Sequence, residues 1–539
     1  MTNYREIPLM FQAQIKGRGQ IQYIAQPEKA YRWVDEWEEG VGNDVSNFSN
    51  RVSTKEYKIT WRFISNSGQD DDVIRPVIAS GGFPYYPGAS MKGAFLRSCT
   101  PEQAMHYCGG IASKADSTTK PGILRFHGGY PKDATWKDKE LVDVVHPQAD
   151  WQLKDSSSHS AFIQISLHEP TLVFGISSNI KIESSEWDTI WSIWEKALER
   201  GIGSRVSAGY GQPVKHPETK LLTVGLTGQG LASQLINKTG EFRPNMFKAA
   251  LRGHTLRLFA GITDENSAEA LTRELWGGFA GKDGAVVGDL GIVFNPLELE
   301  MDGYRYRGNS IPTYELNNGI LHILSMRSVS EEYKTELRSL AIKLIQFSLL
   351  LGGFGKSWRR IDHRIFFPDY LKNNQKPMIG CHWEFHQGAE KLYIPTNRLE
   401  NISKFFTTLD EKIHQWIIAN NKKTSNNLSQ WREVWHPQKV QVWARVAEDE
   451  DDSSAVHWFH GEYKEGGTIK GSTLTGQIGQ IGRIWHRMYP RYSKLKDGTM
   501  RRMGDEYIEL LTIFPDTSNT TTQFIDFLGK SYFKRIYPS

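Results

Sequence analysis

Apolar residues recur at helical spacing in several stretches of this chain. In WDTIWSIWEKALER, Trp187, Ile190, Trp191 and Trp194 fall on one face, which predicts an amphipathic helix over 186–200. Similar patterns predict helices at 90–108, 245–259, 266–276 and 330–350. Shorter apolar stretches rich in β-branched and aromatic residues predict strands. They are EYKITWRFIS (56–65), AFIQISL (161–167), TLVFGIS (171–177), LLTVGLTG (221–228) and GILHILSM (319–326). Strands and helices interspersed in this way predict α+β domains on antiparallel sheets, such as ferredoxin-like modules.

The helix over 186–200 runs into GIGSRVSAGYG, which puts four glycines, Arg205 and Tyr210 into the eleven positions from Gly201 to Gly211. Glycine inside an element costs roughly 0.5–1 kcal/mol relative to alanine. Such a run predicts backbone at positive φ or in close approach to another group. The pattern recurs in LRSLAIKLIQFSLLLGGFGKSWRR (337–360), where the glycine-rich turn is followed by Lys356, Arg359 and Arg360. Upstream of each helix lies a second shared motif: FPYYPGASMKGAFLR (83–97) with Lys92 and Arg97, and EFRPNMFKAALRG (241–253) with Lys248 and Arg252. Lys92 and Lys248 are 156 residues apart, and Gly203 and Gly355 are 152 apart. Two motifs in one order at nearly one offset predict a duplicated domain, 1–215 and 216–385, joined near VKHPETK (214–220). For 386–539 the expectation is an α/β extension with at most a partial third module. There, EGGTIKGSTLTGQIGQIGRIWHRM echoes the lysine–glycine motif without a later glycine-rich loop.

Length changes this picture little: 539 residues suit three or four domains of about 150 residues each. No apolar run approaches the roughly 18 residues of a membrane helix, and the first twenty residues lack the pattern of a cleaved leader. Cys99, Cys108 and Cys381 form neither a disulfide framework nor a zinc spacing. These features predict a cytoplasmic protein with no membrane partner. Net charge is only +4, but its distribution points further. The clusters GKSWRRIDHR (355–364), GRIWHRMYPRY (482–492) and MRRMG (500–504) have aromatics inside or nearby, which suits phosphate neutralisation and base stacking. Acidic runs are concentrated in QDDD (69–72) and EDEDD (448–452).

YYPGASMKGAFLR resembles the lysine–glycine signature of the RAMP superfamily, the ferredoxin-like RNA-binding subunits of CRISPR effector complexes. ALERGIGSRVSAGYG resembles that family's glycine-rich loop in the form typical of the sixth subunit of the type III-B complex, and HPQADW (146–151) resembles a segment of the same subunit. FKAALRGHTLRLF with ELWGGFAG resembles the corresponding pattern of that complex's first subunit, although Ala249 replaces the glycine after the lysine. The resemblance covers roughly 55–215 and 220–370. It implies two tandem RAMP modules, as in type III-D-like variants, and partners that are a guide RNA, its complementary target RNA and other effector subunits. In such complexes base pairing reads sequence while protein holds the backbone. On this reading the loop at 201–211 lets RNA phosphates approach main-chain N–H groups, with Arg205 supplying charge. Lys92, Arg97, Gly203, Arg205, Tyr210, Lys248, Arg252, Lys356, Arg359 and Arg360 are then the RNA-binding residues.

Family members that cut target RNA carry an aspartate between the first strand and the lysine–glycine helix. In this chain SGQDDDVIRPVI (67–78) fills that interval, and spacing from Gly88 points to Asp72, with Asp71 and Asp70 as alternatives. The implied chemistry is in-line attack by a 2′-OH, with Asp72 and Mg²⁺ (or Mn²⁺) positioning the phosphate. Two other readings stand beside it: a purely structural RNA-binding subunit, and a guide-processing endoribonuclease using a histidine such as His106 or His146. GFGKS at 353–357 is not a phosphate-binding loop, because Leu350 stands where that motif needs glycine.

Overall fold

The computed structural model describes residues 27–41, 47–65, 68–70, 73–113, 118–145, 162–279, 285–367, 378–386, 388–425, 429–477 and 480–538. These fall into two compact units. One holds the described residues up to 220 together with 324–327, and the other holds 221–323 and 328–538. The chain is α+β throughout, with small, predominantly antiparallel sheets.

The first unit runs α1 (Pro27–Gly40), β1 (Ser53–Lys58), β2 (Gly68–Asp70), β3 (Val73–Arg75), α2 (Gly88–Leu96), β4 (Leu124–Pro131), β5 (Val142–Val145), β6 (Phe162–Ile165), β7 (Thr171–Ser178) and α3 (Ser184–Leu198). Its main sheet has the order β1-β7-β4, antiparallel throughout. A further edge lies beside β1, where Ile59 bridges Pro213 and Thr60 N donates to Gln212 O at 2.9 Å. With α2 and α3 as crossovers, this is a βαββαβ chain in spatial order 4-1-3-2. The stripe read from sequence makes α3 pack: Ile190, Trp191, Trp194 and Leu198 are buried, and Trp194 lies 4.9 Å from Phe174 of β7. A second sheet, ordered β2-β3-β6-β5, holds Gln69 and Asp70 of the acidic run on β2.

The second unit repeats the order twice. Its first set is β8 (Lys220–Leu231), α4 (Asn245–Ala260), α5 (Glu265–Trp276), β9 (Leu290–Tyr306), β10 (Asn309–Ser325), α6 (Glu331–Leu351) and β11 (Cys381–His386), in sheet order β9-β10-β8-β11. After α7 (Glu400–Ala419) come β12 (Gln441–Ala447), α8 (Ser454–His460), β13 (Ile484–Lys494), β14 (Met500–Ile513), α9 (Asn519–Lys530) and β15 (Lys534–Tyr537), in sheet order β13-β14-β12-β15. Residues 386–539 therefore hold α7 and one complete βαββαβ sheet rather than a partial echo of one. Only residues 531–533 connect α9 to β15, so this sheet has no counterpart of the glycine-rich loops. Both of its faces are covered. Ile484 through Tyr492 of β13 are all buried, some against α8 and α9 and others in a core shared with α4, α6 and α7.

Candidate nucleic-acid interface

In the first unit, α3 ends and the chain turns back through Gly201, Gly203, Gly209 and Gly211, at φ of +79°, +79°, +94° and +61°. Arg205 adopts φ +58° without glycine's freedom. The group that approaches the loop most closely is the chain itself. A Cβ on Gly203 would stand 2.1 Å from Ile64 O, and one on Gly211 would stand 1.9 Å from Ile202 O. Ser204 N donates to Ile64 O, Gly211 N to Arg62 O and Ile202 N to Gly211 O, all within 2.9 Å. These three N–H groups are therefore not open to phosphates. They close the loop onto residues 62–64 and onto itself.

Two loop side chains also point inward. Tyr210 is 1% exposed, its ring centroid 4.4 Å from that of Trp61, and its hydroxyl donates to Asp143 Oδ2 at 2.9 Å. It is a core residue, because its polar end is satisfied inside the fold. Arg205 Nε donates to Gln164 Oε1 at 3.1 Å, and the Gln164 amide donates to Asp143. Asp143 on β5 and Gln164 on β6 are fully buried. The relay Arg205–Gln164–Asp143–Tyr210 thus fastens both halves of the loop to β5 and β6 of the second sheet. Sequence reasoning missed Asp143 and Gln164. Their one signal was polarity at positions of strand-like alternation.

Asp70 ends β2 and pairs with Val73, while Asp71, Asp72 and His146 lie outside the described residues. Among the described residues, no group of three or more His, Cys, Asp or Glu is placed to hold a metal ion. His106 is exposed and lies 3.2 Å from Glu186. On α2, Lys92 and Arg97 are both exposed and have no acidic partner among the described residues. The nearness of α2 to β4 explains the PGAS motif: a Cβ on Gly88 would stand 2.1 Å from Phe126 O.

In the second unit the glycine-rich loop again joins the second crossover helix to the fourth strand. Gly352 and Gly353 leave room for the rings of Trp358 and Trp383, and Gly355 has φ +90°. Lys356 reaches solvent from crowded surroundings; desolvation first, and Arg243 second, hold its pKa below the usual lysine value. The other predicted cations here are less exposed than Lys356. Lys248 is 8% exposed and Arg252 is half-buried. Arg359 donates to Glu433 through Nε (3.0 Å) and an Nη (2.8 Å) while lying 4.5 Å over the Trp358 ring. Arg360 donates to the carbonyls of Ile484 and Thr475, and burial pushes its pKa down to about 9. The RNA-binding assignments of Arg359 and Arg360 are corrected accordingly. Both join the second sheet to the third. Glu433 also accepts from Arg257 and Arg432 and has its carboxyl pKa held at about 2 against its own burial, chiefly by Arg359 and Arg257.

No protein-family model matches the chain, and no curated protein matches it. Among solved structures, it is similar to a chain of the cryo-EM structure of the Type III-B Cmr-beta bound to cognate target RNA. Identity there is 18% over 39% of this chain and 72% of that one, with a TM-score of 0.24. It is also similar to a chain of a Type IV-B CRISPR complex, at 16% identity over 30% of this chain and 88% of that one, with a TM-score of 0.20.

Proposed function

We propose that this chain is an RNA-binding backbone subunit of a type III CRISPR effector complex, built on RAMP modules and holding a guide RNA and its complementary target beside other subunits. The observation that supports this most is the position of the two glycine-rich loops. Each follows the second crossover helix and precedes the fourth strand of a βαββαβ sheet, and each module carries exposed cations, Lys92 and Arg97 in the first and Lys356 in the second. In this reading the glycines shape the loops, and side-chain cations neutralise phosphates without reading sequence. RNA retained through purification, and released by salt, tests it. Raised absorbance at 260 nm relative to 280 nm that falls in high salt is the expected result; a nucleic-acid-free protein that binds no added RNA at low salt would refute the reading.

Target cleavage is the finer part of the proposal and rests on Asp72, with Asp71 and Asp70 behind it. An aspartate there would hold Mg²⁺ or Mn²⁺, which when bound supplies charge against the scissile phosphate. Asp72→Ala is expected to abolish cleavage of a guide-matched RNA and leave RNA binding intact. Identical products from wild type and the triple Asp→Ala variant would leave the purely structural role.

A further inference from the structure

The sheet β1-β7-β4 of the first unit has two unlike faces. One packs on α2 and α3, where Phe126 lies 5.0 Å from Phe95 and Phe174 lies 4.9 Å from Trp194 between ring centroids. Tyr86, which bridges to Gly129 of β4, faces Phe174 and Trp194 on that side. Alternation sends its neighbour Tyr85 to the other face. Tyr130 goes there too, because a Cβ on the adjacent Gly129 would stand 2.4 Å from the Phe174 ring. Gly175 alternates with the buried Phe174 and Ile176, and a Cβ on it would stand 2.6 Å from the Phe48 ring. This glycine thus lets Phe48 lie against the second face. A bulge beside Gly175 leaves His127 out of the strand pairing, and its Nε2 lies 2.8 Å from Ser177 Oγ.

The result is a continuous row of four rings. Tyr85 and Tyr130 stack at 5.3 Å with planes 15° apart. Phe48 stands edge-on to Tyr130 at 5.7 Å and to His127 at 6.2 Å. All four are half-exposed. The stretch RFHGGYPK (125–132) sets a cation at each end of the row. Arg125 is exposed and has no acidic partner among the described residues, while Lys132 donates to Glu56 at 2.7 Å. Desolvation first, and Arg125 second, hold the His127 pKa below the usual histidine value, so the ring is neutral at neutral pH.

We propose that this face binds single-stranded RNA by stacking unpaired bases on the row, with Arg125 against the backbone. Every base has a ring face, and aromatic rows beside cations bind single strands with little regard to sequence. Paired bases keep their faces inside the duplex, so the ligand here is unpaired. An aliphatic partner helix fits less well, because the surface between the two cations is ring and glycine. The inference rests on the RNA-binding reading for the identity of the polymer and adds a site that touches bases rather than phosphates alone.

The test uses the full chain freed of nucleic acid in high salt and returned to low salt. The probes are a fluorescein-labelled cytidine–adenosine repeat and an abasic oligomer of the same length and backbone, both followed by anisotropy. The base-bearing oligomer is expected to bind at least tenfold more tightly than the abasic one. The double variant Tyr85→Ala, Tyr130→Ala should remove most of that preference and leave the abasic affinity unchanged, whereas Tyr130→Phe should keep it. Thermal melts establish that the double variant is folded. Iodocytidine placed in the repeat should crosslink under ultraviolet light to Phe48, Tyr85, His127 or Tyr130. An unchanged preference in the double variant, or crosslinks confined to other residues, would overturn the proposal. Lys92→Glu should weaken both oligomers alike. Equal, salt-sensitive binding of the two oligomers would overturn this inference and keep the RNA-binding reading, whereas no binding of either would overturn both.

Discussion

At the scale of single residues, exposure separates cations that are free to meet a phosphate from cations that hold the fold. Lys92 is exposed on α2 with no acidic partner among the described residues, whereas Arg359 is locked to Glu433. Lys92→Glu should therefore leave the melting temperature unchanged and weaken RNA binding across sequences, lowering the magnitude of the salt slope by roughly 0.7–0.9 per lost phosphate contact. Arg359→Glu should behave oppositely. It opposes a buried carboxylate with another and should cost about 3–5 kcal/mol, the usual penalty for breaking a buried pair. Denaturant unfolding together with RNA titrations at several salt concentrations checks both, and equal stability of the two variants would contradict the assignment. A second contrast concerns the relay. Asp143→Ala strands the Tyr210 hydroxyl and the Gln164 amide in the core, and each buried donor left unsatisfied costs about 1–3 kcal/mol. Loss of the first unit's stability is expected, with Arg205 released from its position. Unfolding at the wild-type denaturant midpoint would show that the relay does not hold the loop.

At the scale of elements, most helices were legible because each buries a stripe that sequence displays at its own period. The helices expected at 186–200, 245–259, 266–276 and 330–350 correspond to α3, α4, α5 and α6. The hairpin β9–β10 was only half legible. Its proximal strands are apolar, but Pro296 to Gly303 is largely exposed, so that stretch lacks a buried face to write an alternating pattern. Its turn, Arg307 at φ +49° and Gly308 at φ +83°, supplies the two positive values a two-residue hairpin needs. The third sheet was hidden because it lacks the glycine-rich loop, the feature that marks the other two. In the loop at 201–211, glycine density announced backbone constraint but not its cause, since sequence does not tell a ligand's approach from the chain's own. Gly203 and Gly308 make that distinction measurable. Both have positive φ, but a Cβ on Gly308 meets nothing within 4 Å while one on Gly203 overlaps Ile64 O. Gly308→Ala should cost only the left-handed penalty of roughly 1–2 kcal/mol. Gly203→Ala should cost clearly more, and equal denaturant midpoints for the two variants would remove the close-approach account.

At the scale of the whole molecule, the second unit holds buried imidazoles that make its stability depend on pH. Both ring nitrogens of His254 lack a hydrogen-bond partner among the described residues, and its ring stands among Phe347, Trp358 and Trp485. Desolvation, then Arg257 and Arg359, holds its pKa well below the usual histidine value. Desolvation also pushes His363 down to about 3 and lowers His486. A histidine whose folded pKa is depressed is neutral in the fold but takes up a proton when unfolded, so stability is lost as pH falls below about 6.5, the unfolded value. Each such group adds a slope of up to about 1.4 kcal/mol per pH unit until its folded pKa is reached. Asp410 acts with the opposite sign. With a folded pKa of about 6, it is protonated more readily in the fold and returns some stability between pH 6 and about 4. Glu433 and Glu384, both lowered to about 2, keep their contributions above about 4.5 and lose them only as pH falls further toward 2. The net expectation is a decline between pH 6.5 and 4.5 dominated by the three histidines, followed by a steeper loss below. Denaturant unfolding at pH 7.5, 6.5, 5.5 and 4.5 measures it, and His254→Leu should flatten the upper part of the curve by up to the contribution of one proton. A stability that is level from pH 7.5 to 5.5, or a His254→Leu slope equal to wild type, would mean that these rings are charged or solvated in the folded protein.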